Sequence, residues 1–483
     1  MSPYYPVIRV FGVLLVCFSL TMIVPWVYSR MIGDGAQSAY DEAVFLSLAT
    51  GLGLWWAARH QKNDLKVRDG FLMVVMVWAV LPVFACLPFI FQLHISFTDA
   101  YFEAMSGLTT TGATVLSGLD SLPPSINLWR GMLVWMGGMG LIVLAVAILP
   151  LLGIGGRQMF KAEAPGPMKD SQLTPRMTET AKGLWVIYLM VTLACILSLR
   201  WAGMTWFDAV MHAFTTMGLG GFSSHDASFG HWNSPAIEAV TVVFMLIAGI
   251  NFATHFLVFQ QRSAQPYVRD PEIMWYLVVV VASVLGIAGF LVGAGVYDTG
   301  TALRHAAFNV VSIATTTGFA SVDYNVWPIF APLWMLFLSS FATSAGSTGG
   351  GIKMIRALIL YKQVYRELVR AMHPRAVWPV RIGGSVVPQN ILTAVLAFGF
   401  AYMCLIVAMT LLMTLSGLDV VTAFSAVVAS LNNTGPGLND VGPAGNYAGL
   451  TDLQTWICTA AMLLGRLEIF TLLVVLTPAF WRR

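Results

Sequence analysis

Four short stretches of the sequence end in a glycine, and three of them place threonine directly before it. The chemistry this pattern offers is that of backbone carbonyl groups. The four stretches are DAYFEAMSGLTTTG (99–112), DAVMHAFTTMGLGG (208–221), HAAFNVVSIATTTG (305–318) and TAFSAVVASLNNTG (422–435). Each has alanine twelve residues before the glycine. Glycine permits backbone angles that a side chain would forbid, and carbonyl oxygens can replace the water around a dehydrating cation. Fourfold repetition predicts four such strands around one pore.

The residues near these glycines favour a cation. The half-helices ahead of the glycines would point their carbonyl ends, the negative ends of their dipoles, toward the pore. Five residues beyond three of the glycines stand Asp226, Asp323 and Asp440, whereas the first stretch has Ser117 there and Asp120 nearby. Carboxylates at matching offsets predict an outer mouth that concentrates cations, although a turn or cap role would account for any one of them.

Composition places the chain in a membrane. Hydrophobic residues make up 57% of its 483 residues, charged residues 10%, and the mean hydropathy is +0.75. A soluble domain of this length needs more charge to cover its surface. The five cysteines are scattered through apolar runs and predict neither a disulfide framework nor a metal site.

The elements that must position the four stretches are long apolar segments. Spanning a bilayer takes about 20 residues, which gives ten candidates: 6–28, 40–58, 70–92, 127–151, 181–200, 236–260, 272–296, 328–361, 388–416 and 453–480. The predicted units are an N-terminal helix pair (1–68) and four pore repeats (69–160, 161–265, 266–375 and 376–483). Since the polar stretches are too short to span, they predict four re-entrant loops in an all-α polytopic fold.

Basic residues set the orientation. Of the 26 lysines and arginines, 21 fall near the termini or in the segments 59–68, 157–182, 262–269 and 353–381. The opposite side carries Arg30, Arg130, Arg200 and Arg304. The positive-inside rule therefore predicts cytoplasmic termini and stretches that enter from outside. The segments 157–182 and 353–381 also suit anionic lipid headgroups or a cytosolic partner.

The eighth predicted span is interrupted by glycines. The segment SSFATSAGSTGGGIKMIR (339–356) contains Gly346, Gly349, Gly350 and Gly351. Each glycine costs about 1 kcal/mol relative to alanine inside a helix, so the helix should break here. Because the segment follows the third stretch, it predicts a flexible gate beneath the pore. Close helix packing through small residues is the alternative. No other repeat is expected to have a fractured inner helix.

Four polar or charged side chains fall within predicted membrane segments. Arg466 is the only basic residue deep in a predicted span, where it costs roughly 2.5–3.5 kcal/mol, so it should face protein or water. We expect it to repel cations or to clasp the gate through carbonyl groups; a structural pair with Glu468 is the alternative. Glu103, His212 and Asn309 share one offset before their glycines and are expected to brace the half-helices.

The motifs in this order, with the predicted topology, resemble the Trk/Ktr/HKT superfamily of potassium transporters over essentially the whole chain. The nearest branch is that of the bacterial Trk-type transmembrane subunits (TrkH/TrkG). The stretches that carry the resemblance are GGFSSHDAS (220–228), TTTGFASVDYN (315–325), SLNNTGPGL (430–438) and LLGRLEIFTLLVVLTPAFWR (463–482). The resemblance implies potassium sites formed by the backbone of Thr111, Gly112, Gly220, Gly221, Thr317, Gly318, Thr434 and Gly435. The second repeat departs from the pattern, because MGLGG (217–221) has no side chains to brace its strand.

The resemblance also implies a physiological setting. It implies potassium uptake across a bacterial inner membrane by a chain that forms a complete pore, usually in a homodimer. A cytosolic TrkA-type ring would bind the regulating nucleotide, so this chain should carry no organic cofactor and transport potassium as its substrate. An ion-coupled secondary transporter, moving potassium with protons or sodium, is the alternative. No paired catalytic groups at a common depth indicate an intramembrane enzyme, and no nucleic-acid partner is expected.

Overall fold

The computed structural model describes residues 5–60, 67–140 and 177–482, and within them most of the chain is helical and almost none of it is strand. Five of the described helices are long and apolar enough to cross a membrane, and two sharply bent helix pairs raise the number to seven. The predicted all-helical polytopic class is confirmed, whereas the count of ten spans, the re-entrant loops and the unit boundaries stay predictions. Part of the fourth predicted span and most of the basic loop 157–182 lie outside the described residues.

An N-terminal helix pair packs beside the rest of the chain. Its first member is one candidate span made of α1 (Tyr5–Thr21) and α2 (Ile23–Ile32), and its second member is α3 (Gln37–Ala58). Gly12 on α1 lies so close to α3 that an added Cβ would be 2.8 Å from the carbonyl oxygen of Gly51. Small residues at such crossings let two helix backbones approach each other within a bilayer.

Four units follow, and each contains a short helix that forms most of one of the four repeated stretches. The first has α4 (Val67–Ala85), α5 (Leu87–Leu93), the short helix α6 (Phe97–Leu108) and α7 (Pro124–Trp135), which continues into a π turn (Met136–Gly140). The second has α8 (Met177–Trp201), the short helix α9 (Trp206–Gly218), α10 (Pro235–Ala248), α11 (Phe252–Gln261) and α12 (Gln265–Arg269).

The third and fourth units follow the same order. The third has α13 (Pro271–Gly293), the short helix α14 (Thr299–Ala314), α15 (Phe330–Ser339) and α16 (Met354–Met372). A hairpin of β1 (Arg381–Ile382) and β2 (Ser385–Val386), paired antiparallel, leads into the fourth. The fourth has α17 (Gln389–Leu415), the short helix α18 (Val420–Leu431), α19 (Asp452–Arg466), α20 (Phe470–Leu476) and α21 (Pro478–Trp481).

The four short helices begin and end in the same way. Each N-cap side chain accepts a hydrogen bond from a backbone N–H of the first turn; the caps are Ser96, Thr205, Asp298 and Asp419. Each helix is followed by a left-handed residue with φ between 53° and 61°; these are Thr110, Leu219, Thr316 and Asn433. The next residue then donates to the carbonyl five positions earlier, at 2.8–3.0 Å in all four units. This Schellman-type ending turns the chain sharply out of the helix.

The inner helices after the short helices are interrupted in more than one unit. Helices α10 and α11 meet at 91°, α19 and α20 meet at 111°, and α15 is separated from α16 by 340–353. The expectation that only the third unit is broken is therefore wrong. In the second unit the Asn251 side chain caps a new helix by accepting from Ala253 N at 3.0 Å. In the fourth, Glu468 and Ile469 adopt left-handed φ values of 51° and 59°.

Candidate ion pathway

The segments after the four short helices contact one another in a closed cycle. We call 110–112, 219–221, 316–318 and 433–435 the ring segments. Each ring segment ends in a glycine that faces the neighbouring ring segment. A Cβ added to this glycine would overlap the carbonyl oxygen of the residue that precedes the neighbour's own terminal glycine. These approaches run from Gly112 to Gly220, from Gly221 to Thr317, from Gly318 to Thr434 and from Gly435 back to Thr111. The structure thus brings together all eight residues predicted for the ion path, and the fourth unit closes on the first.

The four terminal glycines are required by the backbone as well as by space. Their φ values are 83°, 61°, 87° and 94°, in the region that residues with a side chain rarely adopt. A Cβ on Gly318 would also lie 2.8 Å from Cδ of Pro436. Substitution at these positions therefore combines strain with steric overlap.

Threonine hydroxyl groups link the first and third ring segments to the short helices that precede them. Thr109 Oγ1 donates to the carbonyl of Met105 at 2.7 Å and lies 2.8 Å from Thr111 Oγ1. The third unit repeats this arrangement, with 2.7 Å between the hydroxyls of Thr315 and Thr317. All four of these threonines are buried.

The second ring segment is supported by packing in place of hydroxyl groups. A Cβ on Gly218 would lie 2.6 Å from the carbonyl oxygen of Val134, and one on Gly220 would lie 2.5 Å from Val134 Cγ1. Val134 belongs to α7 of the first unit and is fully buried. The neighbouring inner helix therefore occupies the space that the threonine side chains would need, which explains the glycines of MGLGG.

The three residues predicted as braces do join the short helices to the chain beyond the ring. Glu103 accepts from Val115 N at 3.1 Å and forms a fully buried ion pair with Arg130 at 2.8 Å. Arg130 also donates to the carbonyl of Ser223 at 3.0 Å, which links the first unit to the second. Burial makes this pair costly to break, because either charge alone would be unpaired.

The second and third braces make neutral versions of the same link. One ring nitrogen of His212 lies 2.9 Å from Ser223 Oγ, and the other lies 2.8 Å from the carbonyl of Asp208. Asn309 donates to Ser321 Oγ at 2.9 Å and accepts from Ser321 N at 3.2 Å. A polar side chain at one helix position thus ties down the following strand in three of the units.

A second cycle of hydrogen bonds, beyond the ring segments, also joins the four units. The bonds run from Asp226 N to Asp120 Oδ2 (3.1 Å), from Phe229 N to Ala320 O (3.0 Å), from Asn325 Nδ2 to Asn439 O (3.3 Å) and from Tyr447 N to Thr114 O (2.8 Å). Sequence reasoning missed these ties, since they join positions that share no motif. They join each unit to the next through the chain that follows its ring segment.

The three aspartates predicted for the outer mouth have different surroundings. Asp226 accepts from Leu119 N of the first unit at 3.2 Å and so joins two units, whereas Asp323 accepts from Asn325 N at 3.0 Å, as expected of a turn residue. Asp440 lies in a single 3-10 turn and is exposed. Two of the three therefore have structural duties, and a shared role at the mouth stays a prediction.

His225 carries the electrostatic link between the first two units. Partial burial alone would lower its pKa, but hydrogen bonds to Asp208 and Asp120 outweigh burial and raise the pKa above its usual value. The pKa of Asp120 is lowered, because its bonds to His225 and to Asp226 N outweigh the opposing effect of burial. The imidazole therefore favours a positive charge between two carboxylates.

The glycine-rich segment lies directly beneath the ring. Gly350 N donates to Thr316 Oγ1 at 2.9 Å, and Thr348 Oγ1 donates to the carbonyl of Met217 at 2.9 Å. A Cβ on Gly349 would be 2.9 Å from the carbonyl oxygen of Thr315. Residues 340–353, which we call the inner loop, thus touch the second and third units at the ends of their short helices.

All four predicted gate glycines belong to the inner loop. Gly346 O accepts from Phe252 N at 3.1 Å, which ties the loop to the bend between α10 and α11. Gly351 has φ 77° and lies against the carbonyl groups of Ser339 and Ser340. Buried Glu272 accepts from Ala345 N at 2.7 Å and from Ile355 N at 3.1 Å, so one carboxylate ties the middle of the loop to the first turn of α16.

Arg466 reaches the inner loop from the fourth unit. Its guanidinium donates to the carbonyl of Thr348 at 3.1 Å, to Thr110 Oγ1 at 3.2 Å and to the carbonyl groups of Gly137 and Gly138. It therefore joins the loop, the first ring segment and the first inner helix. Glu468, the alternative partner, forms an ion pair with Arg356 at 2.5 Å.

Together these features define a multi-pass helical membrane protein in which four internal units enclose a backbone-lined ring. A family model described as TrkH, cation transport protein, matches residues 37–482. The chain belongs to the TrkH family. Because the match and the resemblance cover the same span, the predicted membership is confirmed.

Individual relatives are similar to this chain along nearly its full length. The chain is 48% identical over 477 residues to the Trk system potassium uptake protein TrkH of Salmonella typhimurium, with 98% of both chains covered. It is 36% identical over 473 residues to the Trk system potassium uptake protein TrkG of Escherichia coli, covering 98% of this chain and 97% of that one. The crystal structure of the potassium transporter TrkH from Vibrio parahaemolyticus superposes with a TM-score of 0.90 at 45% identity, and all of both chains is covered.

Proposed function

We propose that this chain takes up potassium across a bacterial inner membrane through a channel-like path along the ring segments. The observation that carries the proposal is the closed cycle of glycine and carbonyl contacts, because four carbonyl strands around one axis suit a dehydrated cation. The relatives named for potassium uptake support the choice of ion and a transporter in place of an enzyme. Potassium is the substrate, and the eight ring residues named above are its backbone sites.

The inner loop is the gate in this proposal. Its attachments to Thr316, Glu272 and Arg466 are not part of the cycle of contacts among the ring segments, so its displacement leaves that cycle in place. With Arg466 beneath the ring, a positive charge stands where a cation would leave the path, which opposes its passage. Full conduction then requires displacement of both the loop and the guanidinium, whereas brief spontaneous displacement in the chain alone gives a low basal flux.

Control of the gate is assigned to a cytosolic partner. Helix α16 follows the inner loop directly and exposes Tyr361, Val364, Leu368 and Met372, while basic residues flank it. A TrkA-type nucleotide-binding ring docked there would pull on the loop through one continuous helix. The nucleotide belongs to that partner, the chain works as a homodimer, and both termini are cytoplasmic.

A secondary transporter with coupled ion movement is the second candidate, and the broken inner helices favour it. Discontinuous helices around a midplane site are typical of alternating-access transporters. The two candidates differ in the currents they produce. Purified chain in a planar bilayer should give discrete single-channel steps that reverse at the potassium equilibrium potential. A flux with fixed proton or sodium stoichiometry and no steps would favour the transporter.

Growth tests the ion itself. Expression of the chain in a bacterial strain that lacks potassium uptake should restore growth at low external potassium. Failure to restore growth, with the protein present in the membrane fraction, would contradict the proposed function.

A further inference from the structure

Two histidines and an aspartate converge at the outer junction of the first two units. His225 and His231 stack with ring centroids 3.6 Å apart and an angle of 8° between the rings. One ligand atom from each of His225, His231 and Asp120 lies within 4.8 Å of the others. This cluster has no part in the ring, the braces or the inner loop.

Both imidazoles direct the same atom toward one carboxylate oxygen. His225 Nδ1 hydrogen-bonds to Asp120 Oδ1, and His231 Nδ1 lies 3.9 Å from that oxygen. Ligands held at 2.0–2.1 Å in a tetrahedral zinc site lie about 3.4 Å from one another. The three atoms therefore need only small side-chain shifts to surround an ion, and the ion takes the place of the proton between His225 Nδ1 and Asp120 Oδ1, which is released to solvent.

The donor set selects the class of ion. Imidazole nitrogens with one carboxylate suit zinc and related first-row transition metals, whereas magnesium and calcium prefer oxygen ligands throughout. Three protein ligands also leave an open position for water. The Trp232 ring packs nearly perpendicular to both imidazoles, at 4.9 and 5.1 Å between ring centroids, which limits the directions the imidazoles can take.

The cluster is connected to the pathway on both sides. Asp120 also accepts a hydrogen bond at 3.1 Å from the backbone N–H of Asp226, which is the residue five positions beyond Gly221. His225 Nε2 lies 3.4 Å from Asp208 Oδ1, in the first turn of short helix α9. An ion bound here would add positive charge beside the predicted mouth and would fix the junction of two units.

We propose that Asp120, His225 and His231 form a binding site for a divalent transition metal such as Zn²⁺, and that its occupancy slows cation entry into the pathway. The second half of this statement rests on the proposed potassium transport. The first half concerns binding alone and stands independently of it.

Binding is tested by titration calorimetry on the full chain, purified in detergent without a polyhistidine tag and stripped of metal. Zn²⁺ should bind at one site per chain, and Mg²⁺ at the same concentration should give no signal there. His231→Asn removes an exposed ligand and should weaken Zn²⁺ binding at least about tenfold. The matched control is His94→Asn, which changes another exposed histidine outside the cluster. Absence of the site, or equal Zn²⁺ affinity in both variants, would overturn the assignment.

The effect on transport is tested by rubidium flux into proteoliposomes with Zn²⁺ added on each side separately. Zn²⁺ should slow the flux from one side only, and His231→Asn should shift the inhibitory concentration by the same factor as the binding constant. Unchanged flux at saturating Zn²⁺ would refute the inhibitory role while leaving the measured site in place. A chain that gives no flux before Zn²⁺ is added would instead contradict the proposed function.

Discussion

The ring segments and the layer directly beneath them come from the same four units but are built differently. In the ring, each unit repeats one left-handed turn, one hydrogen bond to the fifth residue back and one glycine facing the next carbonyl. Beneath the ring, the inner helices of the second, third and fourth units are each interrupted in a different way, and the break in the third unit supplies the inner loop. Four similar segments are needed to place carbonyl oxygens around one axis, whereas a single segment is enough to block the space on that axis.

The two layers also differ in what holds them. The ring is fixed by close backbone contacts and by buried links such as Glu103–Arg130. The inner loop also packs closely against backbone, since a Cβ on Gly350 would overlap the carbonyl oxygen of Asn432, and it is attached through hydrogen bonds such as those of Gly350 to Thr316 and of Arg466 to Thr348. The ring contacts repeat in all four units and close a cycle, whereas the attachments of the loop belong to one segment and differ from one another. Variants in each layer should therefore fail differently.

The largest effect is expected from removal of the buried charge that supports the ring. Arg130→Met leaves the Glu103 carboxylate buried without its cation and should lower the free energy of unfolding by about 3–5 kcal/mol. Thermal unfolding of the purified protein measures this. The control is Arg304→Met, which breaks the partly exposed Arg304–Glu238 pair. Equal losses in the two variants would contradict the special position of the Glu103–Arg130 pair.

The next effect concerns selectivity. Gly318→Ser combines a strained backbone, which costs about 1–3 kcal/mol, with overlap against Thr434 and Pro436, so discrimination of potassium over sodium should fall about tenfold or more. Competitive flux measurements give the ratio. Gly295→Ser is the matched control, because Gly295 has φ 70° but nothing within 4 Å of an added Cβ. If the Gly318 variant keeps the native permeability ratio, the ring is not the selectivity filter.

A smaller effect separates the inner loop from the ring. Deletion of 345–350 removes the bonds of Thr348 and Gly350 and should raise basal potassium flux roughly tenfold, the change that corresponds to 1.4 kcal/mol. Selectivity should stay native, since the ring segments are untouched. Flux and permeability ratios are measured without a cytosolic partner. Reduced or constant flux in correctly inserted protein would rule out the gate.

The smallest effect tests a single attachment of the loop. Thr316→Val keeps the side-chain shape but removes the oxygen that accepts from Gly350 N, so basal flux should rise about fivefold, as expected for a hydrogen bond worth ~1 kcal/mol. Thr414→Val is the control, because its hydroxyl bonds only to the local carbonyl of Leu411 among its described contacts. Identical fluxes in the two variants would show that this bond does not hold the loop closed.

Much of the architecture was predictable because it follows from local chemistry. Apolar length predicted membrane helices, and the repeated alanine-to-glycine interval predicted four equivalent turns. The braces at Glu103, His212 and Asn309 were predictable from one shared offset. The bends in the second and fourth inner helices were not, because Asn251, Glu468 and Ile469 carry no repeated pattern. The support of the second ring segment by Val134 was equally hidden, since it depends on another unit.

The sequence by itself determined the number of units, the glycine turns and the class of membrane protein, because hydropathy and backbone freedom are properties of short segments. Tertiary structure decided the order in which the turns meet, the closure of the fourth unit on the first and the position of the inner loop beneath the ring. It also decided the meeting of Asp120, His225 and His231. Most of these relations join residues about a hundred or more positions apart, and only packing brings such residues within reach of one another.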